Sequence, residues 1–449
     1  MKKILRYIRT VLKKSFDNIR NERLKENLLQ AVPFWIGSII TGIIAVLYAQ
    51  IFAFGEHTLN KILDWHLWMI FIIAPVGFVL SWWLVKKYAP YAKGSGIPQV
   101  MAAVDFANPK DNHLIYKLLS LRIIIIKILS SFVLVSSGGA IGREGPTIQI
   151  AGSIFRKVYE YLPEWWPKIS KKNMILTGAA AGLSAAFNTP LGGIVFAVEE
   201  LSKTHINYFK TALFTAVIIA GLTAQSFAGS YLYLGYPKTG GVTLWIMFPI
   251  IFVSGISGIL SSQLSVAMLK INRLKKKLKT DLSNIIFLII CGLIVASIAY
   301  FINRDILGSG KDIIERVLFT DNKTEAWYVP ILRMLGPALA FTSGGAGGIF
   351  APALSTGATI GSVFAGVMNL TDNETNVLVL AGMVAFLTGI TRAPFTSAIL
   401  VLEMTDRHSL IFHLMLAGMM SSIFSVLVSR HSLYEALKLN FINDITKGK

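Results

Sequence analysis

Charge and cysteine are both scarce in this chain. Asp, Glu, Lys and Arg make up only 15% of its 449 residues, too little to solvate the surface of an ordinary water-soluble domain. The single cysteine, Cys291, excludes an intrachain disulfide and, lying in an apolar run, says nothing about compartment. The seven histidines show no HExxH or paired metal spacing, and no G-x-S-x-G nucleophile elbow is present. Gly308-Ser309-Gly310-Lys311 stops short of a phosphate loop, because Asp312 takes the Ser/Thr place and the upstream glycine is missing. No metal, cofactor or enzymatic chemistry is therefore expected. Acidic residues are also few, 24 against 43 basic ones, but the excess is concentrated in residues 2–25 and 272–279. Both runs abut apolar segments and hold few aromatics for stacking bases, which argues against nucleic acid and for placement on the cytoplasmic side of a membrane.

What the chain does have is apolar length. Hydrophobic residues make up 54% and the mean hydropathy is +0.60, the composition of an integral membrane protein in contact with a lipid bilayer. Long apolar runs lie near 32–54, 67–86, 115–136, 210–233, 244–270, 284–302 and 408–429. Others, around 138–155, 176–200, 344–368 and 377–404, are short and interrupted by Gly and Pro. Broken helices survive in a bilayer only where their ends are buried in protein or line a wet cavity. The expected fold is an all-α polytopic membrane protein. Its expected parts are a cytoplasmic amphipathic helix over 1–28, membrane repeats over 29–240 and 241–435, and a short cytoplasmic tail over 436–449 without room for a regulatory domain.

The repeats are read from glycine-rich turns. Ser137-Gly138-Gly139-Ala140-Ile141-Gly142-Arg143-Glu144-Gly145-Pro146 matches Ser343-Gly344-Gly345-Ala346-Gly347-Gly348-Ile349-Phe350-Ala351-Pro352 at an offset of 206 residues. Gly178, Pro190 and Glu199 recur as Gly382, Pro394 and Glu403 at an offset of 204, and Gly94-Ser95-Gly96 recurs as Gly308-Ser309-Gly310. Three patterns in one order at nearly constant spacing indicate tandem repeats. If 1–27 is cytoplasmic, the first span leaves the cytoplasm at Ala31, whereas its counterpart, Leu244 to Leu269, ends at the basic run 272–279. Equivalent spans then run in opposite directions, the pattern of an inverted-repeat transport protein.

Each glycine turn leads into a helix with proline in its first turn, so it would aim free N–H groups and a partial positive charge at whatever lies ahead. An ordinary loop entering a helix has the same look, but not at a repeated spacing. Burying a halide-sized ion costs on the order of 20 kcal/mol in the idealised limit. One helix terminus returns about 0.3–2 kcal/mol and a charge-assisted hydrogen bond about 1.5–3 kcal/mol. Several donors must converge, and two turns plus the Ser95 loop supply them. Glu144, whose repeat partner is Phe350, is not required by the repeat. Ionised, it could occupy the donor cage as a tethered anion and act as a gate or proton carrier. Glu199 has an equivalent in Glu403, which suggests capping or pairing inside each repeat. Glu200 faces Met404 and is the unmatched acid, either a second proton-handling group or a partner of Lys203.

GSGIP at 94–98, GREGP at 142–146 and GGIFAP at 347–352 closely resemble the three anion-site signatures of the CLC chloride channel and transporter family, with the likeness running from about residue 30 to Tyr434. The resemblance implies two antiparallel halves of tilted, broken helices, assembled as a homodimer. It also implies roles. Ser95 and Tyr434 would donate hydroxyls to chloride, and Ile349 and Phe350 backbone amides. Gly94, Gly142, Arg143 and Gly145 would form the surrounding backbone, with Glu144 as gate and Glu200 as inner proton-transfer group. Both acids together favour exchange of chloride for protons over a passive channel of the same fold, and Ser95 favours chloride. The absence of paired regulatory domains suggests a bacterial cell membrane with both termini cytoplasmic. Gln99 departs from the glutamate that many members carry after GSGIP.

Overall fold

Capping residues and prolines divide the apolar chain into helices. In a computed structural model that describes residues 21–201, 210–229, 232–241 and 243–447, Ser120, Ser170 and Thr280 accept the N–H groups of Ile123, Asn173 and Ser283 at 3.4, 3.3 and 3.2 Å. Thr371 and Glu374 form a reciprocal capping box, and Pro190 and Pro394 open helices where no N–H is needed. Most of the helix expected over 1–28, and Lys203, lie outside the described residues.

The helices of seven residues or more form two series. The first is α1 (Glu22–Trp65), α2 (Ile70–Tyr88), α3 (Ile97–Asp105), α4 (Leu121–Val135), α5 (Glu144–Tyr161), α6 (Lys171–Phe187), α7 (Pro190–Phe196) and α8 (Lys210–Ala228). The second is α9 (Met247–Lys276), α10 (Asp281–Phe301), α11 (Lys311–Phe319), α12 (Val329–Thr342), α13 (Phe350–Val367), α14 (Asp372–Thr391), α15 (Pro394–Thr405) and α16 (Ile411–Val426), after which α17 (Leu433–Lys447) follows. Each helix of the first series has its partner eight places on. The likeness reaches the backbone: α6 and α14 both end on a left-handed residue, Asn188 at φ 57° and Arg392 at φ 65°.

The two series are inverted. α2 ends and α10 begins on one face, where Lys86 pairs with Asp281. α9 ends on that same face, because Lys86, Lys275 and Lys276 line one cavity. α1, by contrast, ends on the opposite face, where Asp64 meets Arg304 at 2.7 Å. So α1 and its counterpart α9 cross in opposite directions, as the charge pattern predicts.

Among the described residues nine helices are long and apolar enough to cross a membrane. Two of them, Phe350–Val367 and Asp372–Thr391, read in the sequence as short interrupted segments. The run 377–404 is interrupted as expected, between Thr391 at the end of α14 and Pro394 at the start of α15, whereas 350–367 is one unbroken helix. Pro352 sits in the first turn of α13, and Gly357 and Gly382 let α13 and α14 touch, since a Cβ on Gly357 would lie 2.2 Å from the Gly382 carbonyl oxygen. α14 is 94% buried over its most apolar stretch, which explains why it is apolar on every side.

Candidate functional site

The three glycine motifs, 50 to 250 residues apart in sequence, are tied together in the middle of the molecule. Gly94 N–H donates to the Gly345 carbonyl at 2.7 Å and Gly347 N–H to the Gly94 carbonyl at 3.1 Å. Gly142 and Gly348 exchange bonds of 2.8 and 2.7 Å. The N–H groups of Gly94 and Gly142 are thus occupied in holding the loops to one another, which differs from the expectation that every turn presents its N–H groups forward. The groups left without a carbonyl one turn back are those of the helix starts after the turns, Glu144–Gly145 on α5 and Ile349, Phe350 and Ala351 at the start of α13. Gly145 is small for a reason: a Cβ there would lie 2.1 Å from Ser95 Oγ.

Behind the Gly94-Ser95-Gly96 loop and its repeat copy Gly308-Ser309-Gly310 stand buried cations. Lys127 Nζ donates to the carbonyls of Ala92 and Gly94, both at 2.8 Å. Arg333 donates to the carbonyls of Asp305, Leu307, Gly308 and Ser309 at 2.9 to 3.3 Å, and to Ser355 Oγ. Both side chains are fully buried, and among the described residues neither forms an ion pair within 4.0 Å. Carbonyl dipoles aimed at these cations are turned away from the centre, and the charges add a positive field that favours an anion. The outer copy of the Gly-Ser-Gly loop is not a free donor, because Glu56 accepts Ser309 N–H at 2.8 Å.

Ser95, Ile349, Phe350 and Tyr434 come together as expected of one site. The hydroxyls of Ser95 and Tyr434 face each other, buried, and neither has a hydrogen bond of normal geometry among the described residues. Two buried orphan hydroxyls are costly unless a polar ligand takes them. Tyr434, in the first turn of α17, stacks on Phe350 at 6.2 Å with the rings 13° from parallel. The aromatic column continues through Phe187, 6.2 Å from Phe350, to Tyr233, 5.0 Å from Phe187.

Glu144 lies at the other end of that column. It is 1% exposed, its Oε1 accepts the Tyr233 hydroxyl at 3.3 Å, and the N–H groups of Glu144 itself and of Ala351 point to the carboxylate. A side-chain carboxyl group therefore occupies the meeting point of α5 and α13. Arg143, the residue before α5, stands within electrostatic range of Glu144 and Glu56.

The pair Glu199-Glu200 divides. Glu199 accepts Phe395 N–H at 3.2 Å and Thr396 N–H at 2.7 Å, at the start of α15. Glu403 accepts Leu191 N–H at 3.0 Å and Gly192 N–H at 2.6 Å, at the start of α7. The expected capping is present, but each acid caps the helix of the other half rather than its own. Glu200 lies in a π-helical turn, Ala197–Leu201, that follows α7, a widening frequently found at functional positions. Both Glu200 and Glu144 are within electrostatic range of Tyr434.

On the basic face a cavity of about 290 Å³ reaches Ser95 and is lined by Lys86, Lys93, Lys275 and Lys276. Gln99 also lines it, and its amide explains the departure from glutamate: Nε2 donates to the carbonyls of Lys93 at 2.6 Å and Tyr91 at 3.2 Å. A carboxylate there would face two carbonyl oxygens.

Sequence reasoning passed over Lys127, Arg333 and Tyr233. For the first two a signal was present, since they are 206 residues apart, the offset of the glycine turns. Tyr233 had none, because it belongs to the linker between the halves and has no repeat partner.

Comparison with known proteins agrees with this geometry. Residues 77–426 match the family described as the voltage gated chloride channel. An H+/Cl− exchange transporter ClcA of Citrobacter koseri is 30% identical over 392 residues, covering 82% of this chain and 79% of the relative. That of Salmonella arizonae is 29% identical over 393 residues. Among solved structures, a slow cyanobacterial Cl−/H+ antiporter shares the fold with a TM-score of 0.79 at 23% identity, over 92% of this chain and 98% of the other. A CLC-type fluoride/proton antiporter follows at 0.75 and 17%, with the same coverage. The chain belongs to the CLC family.

Proposed function

We propose that this protein is a secondary active transporter that exchanges chloride for protons, with Glu144 as its gate. One observation carries the reading: a carboxylate sits where the helix starts of two inverted halves meet, in the seat an anion would take. Ionised, Glu144 fills that seat and blocks it. Protonated, it loses its attraction for the N–H groups and leaves, and chloride replaces it. The same side chain then carries a proton out of the seat and excludes the anion on its return, which couples the two fluxes.

Chloride in the central site accepts the hydroxyls of Ser95 and Tyr434 and the backbone N–H groups of Ile349 and Phe350. Each such bond to a charged acceptor is worth about 1.5–3 kcal/mol, so four of them, with the fields of Lys127 and Arg333, offset the several kcal/mol that desolvation costs after relaxation. Glu200, beside the π turn, passes protons between Glu144 and the basic face. That face, with Lys86, Lys93, Lys275 and Lys276, is cytoplasmic by the positive-inside rule; α17 packs there through Asp444, which pairs with Lys276 at 3.0 Å. The bacterial sources of the ClcA relatives support a cell-membrane location in a bacterium, and the family supports a homodimer with one pathway per subunit.

The test is simultaneous recording of chloride and proton movement in vesicles. A chloride gradient should drive protons uphill, and Glu200→Gln should retain chloride flux while abolishing proton movement. A chloride conductance whose reversal potential ignores pH would instead identify a passive channel.

A further inference from the structure

Between α8 and α9, which belong to the two halves, the backbone of residues 234–240 is pinned along the second half. Leu234 N–H donates to the Met404 carbonyl at 3.1 Å, Arg407 Nε to Pro237 at 2.7 Å, Asn376 to Lys238 at 2.9 Å and Asn373 to Gly240 at 2.7 Å. These bonds fix the stretch beside Tyr233, whose hydroxyl points inward. Tyr233 is 5% exposed, its ring stands edge-on to Phe187, and Lys311 Nζ lies over it, 5.3 Å from the centroid. Its hydroxyl donates to Glu144 Oε1.

We propose that Tyr233 is a positioning residue for the gate: its hydroxyl holds the Glu144 carboxylate in its seat and so sets how readily chloride displaces it. The inference rests on Glu144 being the gate. A hydroxyl donor stabilises the seated carboxylate and offers nothing comparable to a carboxyl group that has taken a proton and swung out. Lys311 over the ring face makes the phenol a better donor by drawing charge out of it. Among the described residues, the other ionisable groups within electrostatic range of Glu144 are Arg143 beside it, Tyr48 on α1 and Tyr434 on α17, with Glu56 on α1 facing Arg143 and Asp312 on α11 facing Glu56. They are unaltered when Tyr233 loses its hydroxyl, so a phenylalanine removes the hydroxyl's bond to Glu144 without changing them. Because Tyr233 belongs to the linker and is pinned by the second half, the contact also ties the gate of the first half to the placement of the second.

The experiment measures chloride flux from vesicles over a range of external pH for the parent protein, Tyr233→Phe, Glu144→Gln and the double variant. Phenylalanine keeps the packing on Phe187 and under Lys311. Tyr233→Phe is expected to move the half-maximal point about one pH unit towards alkaline, because the carboxylate that has lost its donor takes a proton at about tenfold lower proton concentration. In the Glu144→Gln background the same change is expected to do nothing. A Tyr233→Phe profile that superimposes on the parent, or an effect that persists in Glu144→Gln, overturns the proposal. If Glu144→Gln itself retains the parent's pH dependence, the gate reading fails, and that outcome is separate.

Discussion

Lys127 and Arg333 occupy equivalent places in the two halves, 206 residues apart, and each holds the carbonyl oxygens of one Gly-Ser-Gly loop from behind. The inner loop carries Ser95, whose hydroxyl faces that of Tyr434 and has no hydrogen bond of normal geometry among the described residues; the outer loop carries Ser309, whose N–H is taken by Glu56. An internal symmetry in the scaffold therefore supports an asymmetric function.

Removing either cation should weaken both fold and site. Lys127→Met leaves the Ala92 carbonyl without a donor and the Gly94 carbonyl with only Gly347 N–H, a loss of about 1–3 kcal/mol, and Arg333→Met orphans more. Thermal unfolding in detergent should show a lower Tm for both, larger for Arg333→Met. Chloride titration calorimetry should show at least about a tenfold weaker Kd for Lys127→Met, since that cation contacts the Ser95 loop. Unchanged chloride affinity in a folded Lys127→Met protein would leave the lysine a purely structural role.

Gln99→Glu restores the residue that many CLC proteins carry, yet here it should be harmful. The amide donates to the carbonyls of Lys93 and Tyr91, and an ionised carboxylate would oppose them. A protonated carboxyl can still donate one bond, so the variant should be tolerated in acid and lose about 1–3 kcal/mol as the pH rises through the range where a free glutamate ionises, near 4.3. Tm followed against pH checks this: a constant difference from the parent at every pH would contradict the account.

Glu199 and Glu403 cap each other's halves, and their removal should register in stability rather than in coupling. Glu199→Ala and Glu403→Ala should each lower stability by about 1–2 kcal/mol, the value of a cap with a favourable charge. The number of chloride ions exchanged per proton, measured from paired fluxes, should stay at the parent value. A changed ratio in either would move that acid into the transport pathway.

Much of the site was legible because its parts are motifs with a spacing. The glycine turns pointed to Ser95 and Glu144, their likeness to the CLC signatures pointed to Ile349 and Phe350, and their repetition together with the placement of basic runs indicated two inverted halves. The limits of α13 and α14 were less legible, because Gly and Pro mark both a helix that breaks and one that packs closely. Gly357 against Gly382 can be told from a break only when the neighbouring helix is in view. The partners of Glu199 and Glu403 were hidden for a related reason. Sequence symmetry suggested that each acid served its own repeat, and nothing along the chain says that the caps are exchanged.

By itself the sequence determined a membrane protein of two oppositely directed halves with glycine turns suited to an anion, since apolar length, repeat offset and charge placement are properties of the chain. Only the tertiary structure decided which N–H groups face the centre and which are spent tying Gly94 to Gly345 and Gly142 to Gly348. It alone also brought Tyr233 from an unremarkable linker to the Glu144 carboxylate. A hydrogen bond depends on distance and direction between groups remote in sequence, and those are set by the packing of the whole molecule.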